Sequence, residues 1–394
     1  MLNKINLISF IFLVALGPNL ISSEIHDSIW NPIKEKLEKD KSFSKYVDRF
    51  HDTLSNAQLF KFFKVKKYLG AGTGGVVFDI DSKDNKLVAK VIPFDGHNFQ
   101  FCKDNEVLDT LDKRKVSYIN KLKYLQKYTG ITTIVENKRS RKVNFYACIM
   151  FIERADTDLR NGPLFEKNSI ENWPVLLRFF GKLIQSFAEI NFKGKVLHGD
   201  IKPDNIMAKI SNKGTPPELD IEPVVIDFDL NLENLKSEDK SDKQLRYTPF
   251  YRAKEMAQKV AIEGLSTTDA WSINWRNYRY SGEFIEDSYA LGVTIKEVLK
   301  LQNLNVDKTT VEYTKLLALA NKMAGPKYTS EKELISATNP KGLKRFRPNM
   351  KVVLKEFLDI IKACKECNNS ELTKQFIKDA KKSLDEMDNK LVKI

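Results

Sequence analysis

Four glycines lie in the short segment from Gly70 to Gly75, and they constrain the fold more than any other feature of the chain. Gly70, Gly72 and Gly75 have the spacing G-x-G-x-x-G. Glycine permits a tight turn and lets backbone N–H groups approach phosphate oxygens. The run that follows, Val76–Ile80, reads as a strand, whereas a dinucleotide-binding fold places a helix there. The pattern therefore predicts a hairpin between two strands that can cover phosphate groups.

A single lysine lies in the next strand-like run, within the sequence Val88-Ala89-Lys90-Val91. A cation at Lys90 can hold two phosphates if the strand lies beside the glycine turn. Glu106 follows among apolar residues at helical spacing, so a helix there can aim its carboxylate at Lys90 and orient the ammonium. Without the other motifs, Glu106 would be read as an ordinary surface residue.

The segment 197–207 places polar side chains of three kinds between apolar anchors. Phosphoryl transfer needs an acceptor for the proton of the attacking hydroxyl, a cation near the migrating phosphate and an oxygen ligand for Mg²⁺. Asp200, Lys202 and Asn205 provide these three groups. A second acidic cluster follows an apolar run and supplies Asp227 as the main metal ligand.

These motifs, in this order and at these spacings, resemble those of the eukaryotic-type protein kinase family over residues 62–363. The resemblance implies an α+β fold with two lobes: a small antiparallel sheet lobe with one key helix, and a larger, mainly helical lobe. It also implies ATP and Mg²⁺, or Mn²⁺ in its place, as cofactors. The implied partners are protein substrates that present serine or threonine acceptors, because Lys202 lies two residues after Asp200.

The resemblance assigns roles to individual residues of this chain. Asp200 is implied as the catalytic base, together with Lys202 and with an ion pair between Lys90 and Glu106. Asn205 and Asp227 are implied as the metal ligands. The residues implied in nucleotide binding are Leu69, Gly70, Ala71, Gly72, Thr73, Gly74, Gly75, Val77, Ala89 and Lys90.

Three further segments match the family pattern. The run Tyr247–Glu255 resembles the end of the activation segment, and Glu286–Gly292 resembles a buried helix that anchors the catalytic loop. Arg347 occupies the position whose arginine pairs with Glu255 in the family.

The chain also departs from that pattern. Gly199 replaces the usual arginine before the catalytic Asp, so the enzyme is not expected to need a phosphorylated activation loop. Asp229 replaces the last residue of D-F-G and adds a carboxylate near the metal. Lys254 stands where the family has proline, and residues 256–284 are longer than usual and contain Trp271.

Two other functions remain open from the sequence. A small-molecule kinase of the aminoglycoside or choline type is the first, because His198-Gly199-Asp200 and the Ile226–Asp229 run resemble that class. The second is a pseudokinase that serves as a binding module. Gly199 and Asp229, which both depart from the family pattern, suggest this alternative.

The first residues have the architecture of a signal peptide, with Lys4 ahead of the apolar run Ile5–Leu16 and small residues up to Ser23. We expect cleavage near Ser23 and a mature protein that is secreted or lies in the lumen of the secretory pathway, without a stable membrane span. An uncleaved membrane anchor is the alternative. The domains predicted are a signal peptide (1–23), a helical N-terminal extension (24–61), the kinase domain (62–363, lobes 62–152 and 153–363) and a C-terminal helical tail (364–394).

The net charge of +13 comes mostly from the segment Lys113–Lys142, in which Glu136 is the sole acid. This segment is either a patch for an acidic partner or a solvated face. We expect no specific nucleic-acid partner, because the basic residues are not interleaved with aromatics as a stacking platform requires. Cys364 and Cys367 in the tail form either a disulfide or a redox pair.

Overall fold

The structure is a computed structural model, and it divides into two compact units. It describes residues 65–72, 75–80, 87–94, 103–136, 139–160, 173–213, 218–228, 232–233, 244–245, 251, 273–274, 284–301, 306–325 and 347–391. The first unit contains the described residues up to Asn105 together with Lys121–Arg154, and the second contains Glu106–Asn120 together with the residues from Ala155 onward. The predicted signal peptide and helical extension lie outside the described residues.

The first unit is built on an antiparallel sheet of five strands in the order β1-β2-β3-β5-β4. The strands are β1 (Val65–Gly72), β2 (Gly75–Ile80), β3 (Leu87–Phe94), β4 (Leu122–Glu136) and β5 (Arg139–Glu153). Phe78 and Ile80 on β2 and Ala89 on β3 are buried. Strand β4 begins at Leu122, so much of the basic segment Lys113–Lys142 is strand.

The second unit is mainly helical. Its α-helices are α1 (Lys103–Lys113, whose first residues belong to the first unit), α2 (Trp173–Phe192), α3 (Ile285–Leu299), α4 (Val311–Ala324), α5 (Met350–Ala363) and α6 (Glu371–Leu391). Helices α4 and α5 begin where Thr310 and Asn349 accept hydrogen bonds from the backbone N–H groups of Tyr313 and Val352.

Seven short strands complete the second unit. They are β6 (Thr157–Asp158), β7 (Val196–Leu197), β8 (Ile206–Lys213), β9 (Glu218–Val225), β10 (Leu232–Glu233), β11 (Gln244–Leu245) and β12 (Ile273–Asn274). Strands β8 and β9 pair in an antiparallel hairpin, with Ile206 opposite Val225 at its inner end. This hairpin carries the two acidic motifs on its two arms, because one precedes β8 and the other follows β9.

Helix α2 is the central helix of the second unit and is buried along nearly its whole length. Helix α6 packs closely on it at Gly181, where a Cβ atom would lie 2.5 Å from the ring of Phe376. Phe376, Ala380 and Met387 form the buried face of α6. The C-terminal helix is thus part of the core of this unit.

A disulfide between Cys364 and Cys367 lies in the turn from α5 to α6. Both cysteines are buried, with exposed fractions of 2% and 0%. The pair is in the disulfide form, which a structural disulfide and an oxidised redox pair share. Within the described ranges, no helix combines the length and the apolar character needed to span a bilayer.

Candidate active site

The predicted catalytic loop, called the catalytic loop below, runs from His198 to Asn205, between β7 and β8. Pro203 opens a short 3₁₀ turn that ends at Asn205, where its fixed φ suits the first helical position. The backbone N–H of Asn205 closes this turn on the carbonyl of Lys202 at 3.0 Å. The backbone N–H of Ile226 then donates to the carbonyl of Asn205 at 3.1 Å, which brings the residue before Asp227 beside the loop.

Three of the predicted residues meet at the Asp200 carboxylate. The Lys202 ammonium donates to Asp200 Oδ2 at 2.6 Å, and the side-chain amide of Asn205 donates to the same oxygen at 3.0 Å. The Asn205 amide also donates to the Asp200 carbonyl at 2.8 Å. Asp200 is 7% exposed, so these donors fix the carboxylate in a nearly buried position.

The backbone of the loop is held by the side chain of Asp287, which lies in the first turn of helix α3. Its two carboxylate oxygens accept the backbone N–H groups of His198 at 2.9 Å and of Gly199 at 3.0 Å. Burial raises the pKa of the Asp287 carboxyl, and the hydrogen bonds that it accepts from the backbone N–H groups of His198 and Gly199 oppose that rise. Asp287, within the run 286–292, therefore holds the backbone of the loop at His198 and Gly199.

His198 fixes the loop against the strand that leads to Asp227. Its Nδ1 accepts the backbone N–H of Asp200 at 3.3 Å, so its Nε2 carries the proton that is donated to the carbonyl of Ile226 at 3.0 Å. The imidazole ring contacts the rings of Phe228 and Phe187 at centroid distances of 4.8 and 5.8 Å. The two acidic motifs are thereby joined through one fully buried side chain.

Asp227 has a backbone φ of 65°, in the left-handed region that residues other than glycine adopt uncommonly. The next residue, Phe228, is 2% exposed and fills the space beside His198. This conformation turns the chain sharply after β9. Because the Phe228 side chain is buried against His198, it holds the backbone next to Asp227 in place.

The donor chemistry of Asn205 and Asp227 fits a magnesium ion. The amide nitrogen of Asn205 is committed to Asp200, so Asn205 can offer a metal only its amide oxygen. Asp227 offers carboxylate oxygens. Hard cations such as Mg²⁺ prefer oxygen ligands and complete their shell with phosphate oxygens and water. The roles of Asn205 and Asp227 as metal ligands stay a prediction that their chemistry permits.

In the first unit, the glycine turn lies beside the strand that carries Lys90. Val77 is opposite Gly70 on β1 and opposite Lys90 on β3. Ala89 is fully buried, and Leu69 is 42% exposed. Ala71, Gly72 and Gly75 lie at the turn ends of β1 and β2, while Thr73 and Gly74 lie outside the described residues.

The ion pair between Lys90 and Glu106 stays a prediction. Glu106 lies in helix α1, but its side chain is outside the part of the chain that is described. Asp229, Glu255 and Trp271 also lie outside the described residues, so the predictions made for them stay predictions. Arg347 is described: its guanidinium lies 4.6 Å from the centroid of the Tyr289 ring.

A cluster around Tyr251 was missed by sequence reasoning. Its hydroxyl donates to Glu297 on helix α3 and accepts from Arg160 at 2.8 Å. Arg160 Nε also lies 3.3 Å from Asp204 in the catalytic loop. Tyr251 stands in the predicted activation segment, but Arg160 and Glu297 belong to no local motif, so only the fold reveals this connection.

The comparisons with known proteins bear on the family of the chain. The family model described as the protein kinase domain matches residues 63–371. In a search of curated proteins, no sequence matches the chain. The matched range contains the glycine turn, the catalytic loop and the Asp287 anchor, in the order that the site requires. The chain therefore belongs to the protein kinase family.

Proposed function

We propose that the chain is an ATP-dependent protein kinase that transfers the γ-phosphate of ATP to serine or threonine residues of proteins. A protein kinase domain is a phosphotransferase, and such domains use ATP with a divalent cation. The observation that carries the proposal is the contact of Lys202 and Asn205 with Asp200, at 2.6 and 3.0 Å.

In the proposed reaction, the oxygen of the substrate hydroxyl attacks the γ-phosphorus of ATP. The bond between that phosphorus and the β,γ-bridging oxygen breaks, and its electron pair leaves with ADP. Asp200 orients the hydroxyl and accepts its proton, a role worth roughly 10²–10⁴ in rate. Lys202 lies beside Asp200 and offsets negative charge on the phosphoryl group during transfer.

A bound divalent cation supplies charge neutralisation at the β- and γ-phosphates. Asn205 and Asp227 would hold it through oxygen atoms, as their chemistry permits. The remaining protein contribution is alignment, because Asp287 and His198 hold the backbone on both sides of Asp200. Pre-set alignment of this kind lowers the entropic part of the barrier.

Two sequence features support serine or threonine in a protein as the acceptor. The first is Lys202, since a lysine two residues after the catalytic Asp marks these acceptors in the family that the chain resembles. The second is the segment Tyr247–Glu255, which small-molecule kinases of the aminoglycoside or choline type do not share. Tyr251 in this segment is bound to Arg160 and Glu297, which gives the segment a fixed point in the helical unit.

We also propose that the enzyme works in a secretory or extracellular compartment. The support is the apolar run Ile5–Leu16 behind Lys4, together with the disulfide Cys364–Cys367. Disulfides persist in oxidising compartments and are rare in the cytosol.

Turnover assays with purified mature protein test the proposed activity. Labelled Mg·ATP is offered with a mixed panel of proteins and, separately, with small hydroxylated acceptors. We expect label on serine and threonine of proteins, identified by phosphoamino-acid analysis. The Asp200→Asn variant is the matched control, because it keeps the shape of the loop and removes the proton acceptor. Label only on small acceptors, or equal label with the variant, would overturn the proposal.

A further inference from the structure

Asn191 lies in the last turn of helix α2, outside every motif that the function uses. Its side chain is fully buried, and its amide nitrogen donates two hydrogen bonds. One goes to the carbonyl of Val196 at 3.0 Å, just before the catalytic loop. The other goes to Oδ2 of Asp287 at 2.7 Å. This one amide therefore joins the end of α2, the strand into the loop and the loop's anchor.

The bond to Asp287 matters because that carboxylate holds the backbone directly before Asp200. Oδ2 of Asp287 also accepts the N–H of His198, and Oδ1 accepts the N–H of Gly199. Gly199 has a φ of 80°, a conformation that brings these two successive N–H groups to one carboxylate. Among the described residues, Asn191 donates to Asp287 from outside the loop.

We propose that Asn191 is a positioning residue for phosphoryl transfer, which acts through Asp287 to fix the catalytic loop at His198 and Gly199. This inference rests on the proposed function for its kinetic consequences. A displacement of about 1 Å at a reacting group can cost about 10²-fold in rate. The orientation of the Asp287 carboxylate sets the backbone position that carries Asp200.

A neutral donor suits this position, whereas a carboxylate or an aliphatic side chain does not. Asp287 is buried, so a carboxylate at position 191 would place two like charges within about 3 Å of each other. Leucine would fill a similar volume but would leave the carbonyl of Val196 and Oδ2 of Asp287 without this donor. The amide supplies both bonds without adding charge.

Gln185 provides a matched control on the same helix. It is also buried, but its amide donates to Glu189 at 3.1 Å instead of to the loop anchor. The variants Asn191→Leu and Gln185→Leu each remove one buried amide from α2. They should lower Tm comparably, so differences in activity at a temperature well below both Tm values report on the loop.

The kinetic test measures kcat and KM for ATP in both variants. For Asn191→Leu we expect kcat to fall by about tenfold or more, with KM for ATP changed less than about threefold, because the nucleotide is held elsewhere. Gln185→Leu should keep kcat within about twofold of wild type. In an Asp287→Asn background, Asn191→Leu should have a much smaller effect, since both act through one carboxylate.

A second readout does not need activity. Amide hydrogen exchange at His198 and Gly199 should be about tenfold faster in Asn191→Leu than in Gln185→Leu. Equal exchange at these amides in the two variants, or equal loss of kcat, would overturn the proposal and leave Asn191 a packing residue. If wild-type protein transfers no phosphate at all, the proposed function fails, and exchange at the two amides still decides whether Asn191 holds the loop.

Discussion

At the scale of single residues, the arrangement around Asp200 separates two kinds of contact. The side chain receives donors from Lys202 and Asn205, whereas the backbone before it is held by Asp287. Gly199 belongs to the second kind only, because it has no side chain that can reach a phosphate. The loop is thus fixed by contacts that need no phosphorylated residue.

The different surroundings of Asp200 and Asp227 lead to different expected phenotypes. Asp200→Asn should lower kcat by roughly 10²–10⁴ while Mg·ATP affinity stays nearly unchanged, because the proton acceptor does not hold the nucleotide. Asp227→Asn should weaken Mg²⁺-dependent nucleotide binding as well as turnover, because it loses a metal ligand. Isothermal titration with Mg·ATP and turnover assays on both variants measure the two effects. The opposite pattern, with binding lost in Asp200→Asn alone, would mean that the two roles are misassigned.

The residues that could be predicted are those whose chemistry is local in sequence. Asp200, Lys202 and Asn205 lie within one short segment, so their types and spacing already indicate a shared task. Asn191 and Glu297 lie on separate helices and reach the site only through tertiary packing. No spacing rule connects such residues, which is why the sequence analysis did not identify them.

At the scale of elements, helix α2 and the β8–β9 hairpin are joined by buried charges. Lys182 on α2 contacts Oδ1 of Asp220 at 2.6 Å, and Lys213 contacts Oδ2 at 3.1 Å. Burial alone would raise the pKa of Asp220, but the two lysines outweigh it and lower that pKa. The hairpin that presents both acidic motifs is therefore held to the central helix by an ionised carboxylate.

This ion pair predicts a pH-dependent contribution to stability. Because the folded-state pKa of Asp220 is lower than its unfolded value of about 3.9, the contribution is present above about pH 4 and is lost as the pH falls through the folded-state pKa. Asp220→Asn lacks this contribution. In urea unfolding, wild type should be more stable than the variant at pH 7, and the difference should narrow towards pH 3. A difference that is constant from pH 7 to pH 3 would contradict the role of the charge.

The helices were predictable as elements because their apolar residues recur with a period near 3.6 over many turns. The hairpin β8–β9 was not predicted as a pair, since Ile206–Lys213 ends in polar residues that give no clear alternation of burial. Strand β4 lies in the basic segment, and its lysines obscure the alternation of apolar residues by which a strand is recognised. Pairing with β5 over its whole length fixes its extent instead.

At the scale of the whole molecule, the C-terminal helix belongs to the helical unit. Ser370 at its start accepts from Arg178 at 2.8 Å and donates to Glu218 at 2.6 Å. Ser383 in its middle donates to Glu189 at 2.6 Å. The helix was predicted from its amphipathic spacing, but as a tail outside the kinase domain. Such spacing indicates that a helix has a buried face without indicating which element covers that face.

The last prediction concerns the compartment in which this molecule folds. A membrane-spanning helix needs about 20 apolar residues, and the apolar run Ile5–Leu16 is shorter than that. The run follows the basic residue Lys4, as in a signal peptide. We expect the natively expressed protein to begin shortly after Ser23 and to carry the Cys364–Cys367 disulfide, because an oxidising compartment preserves such bonds. Intact-mass and peptide mass spectrometry under alkylating, non-reducing conditions measure both features in one sample. Cys364→Ser, expressed in parallel, controls for alkylation of buried thiols, since its remaining Cys367 should be labelled after unfolding. Retention of Met1 with a cytosolic distribution would contradict the prediction.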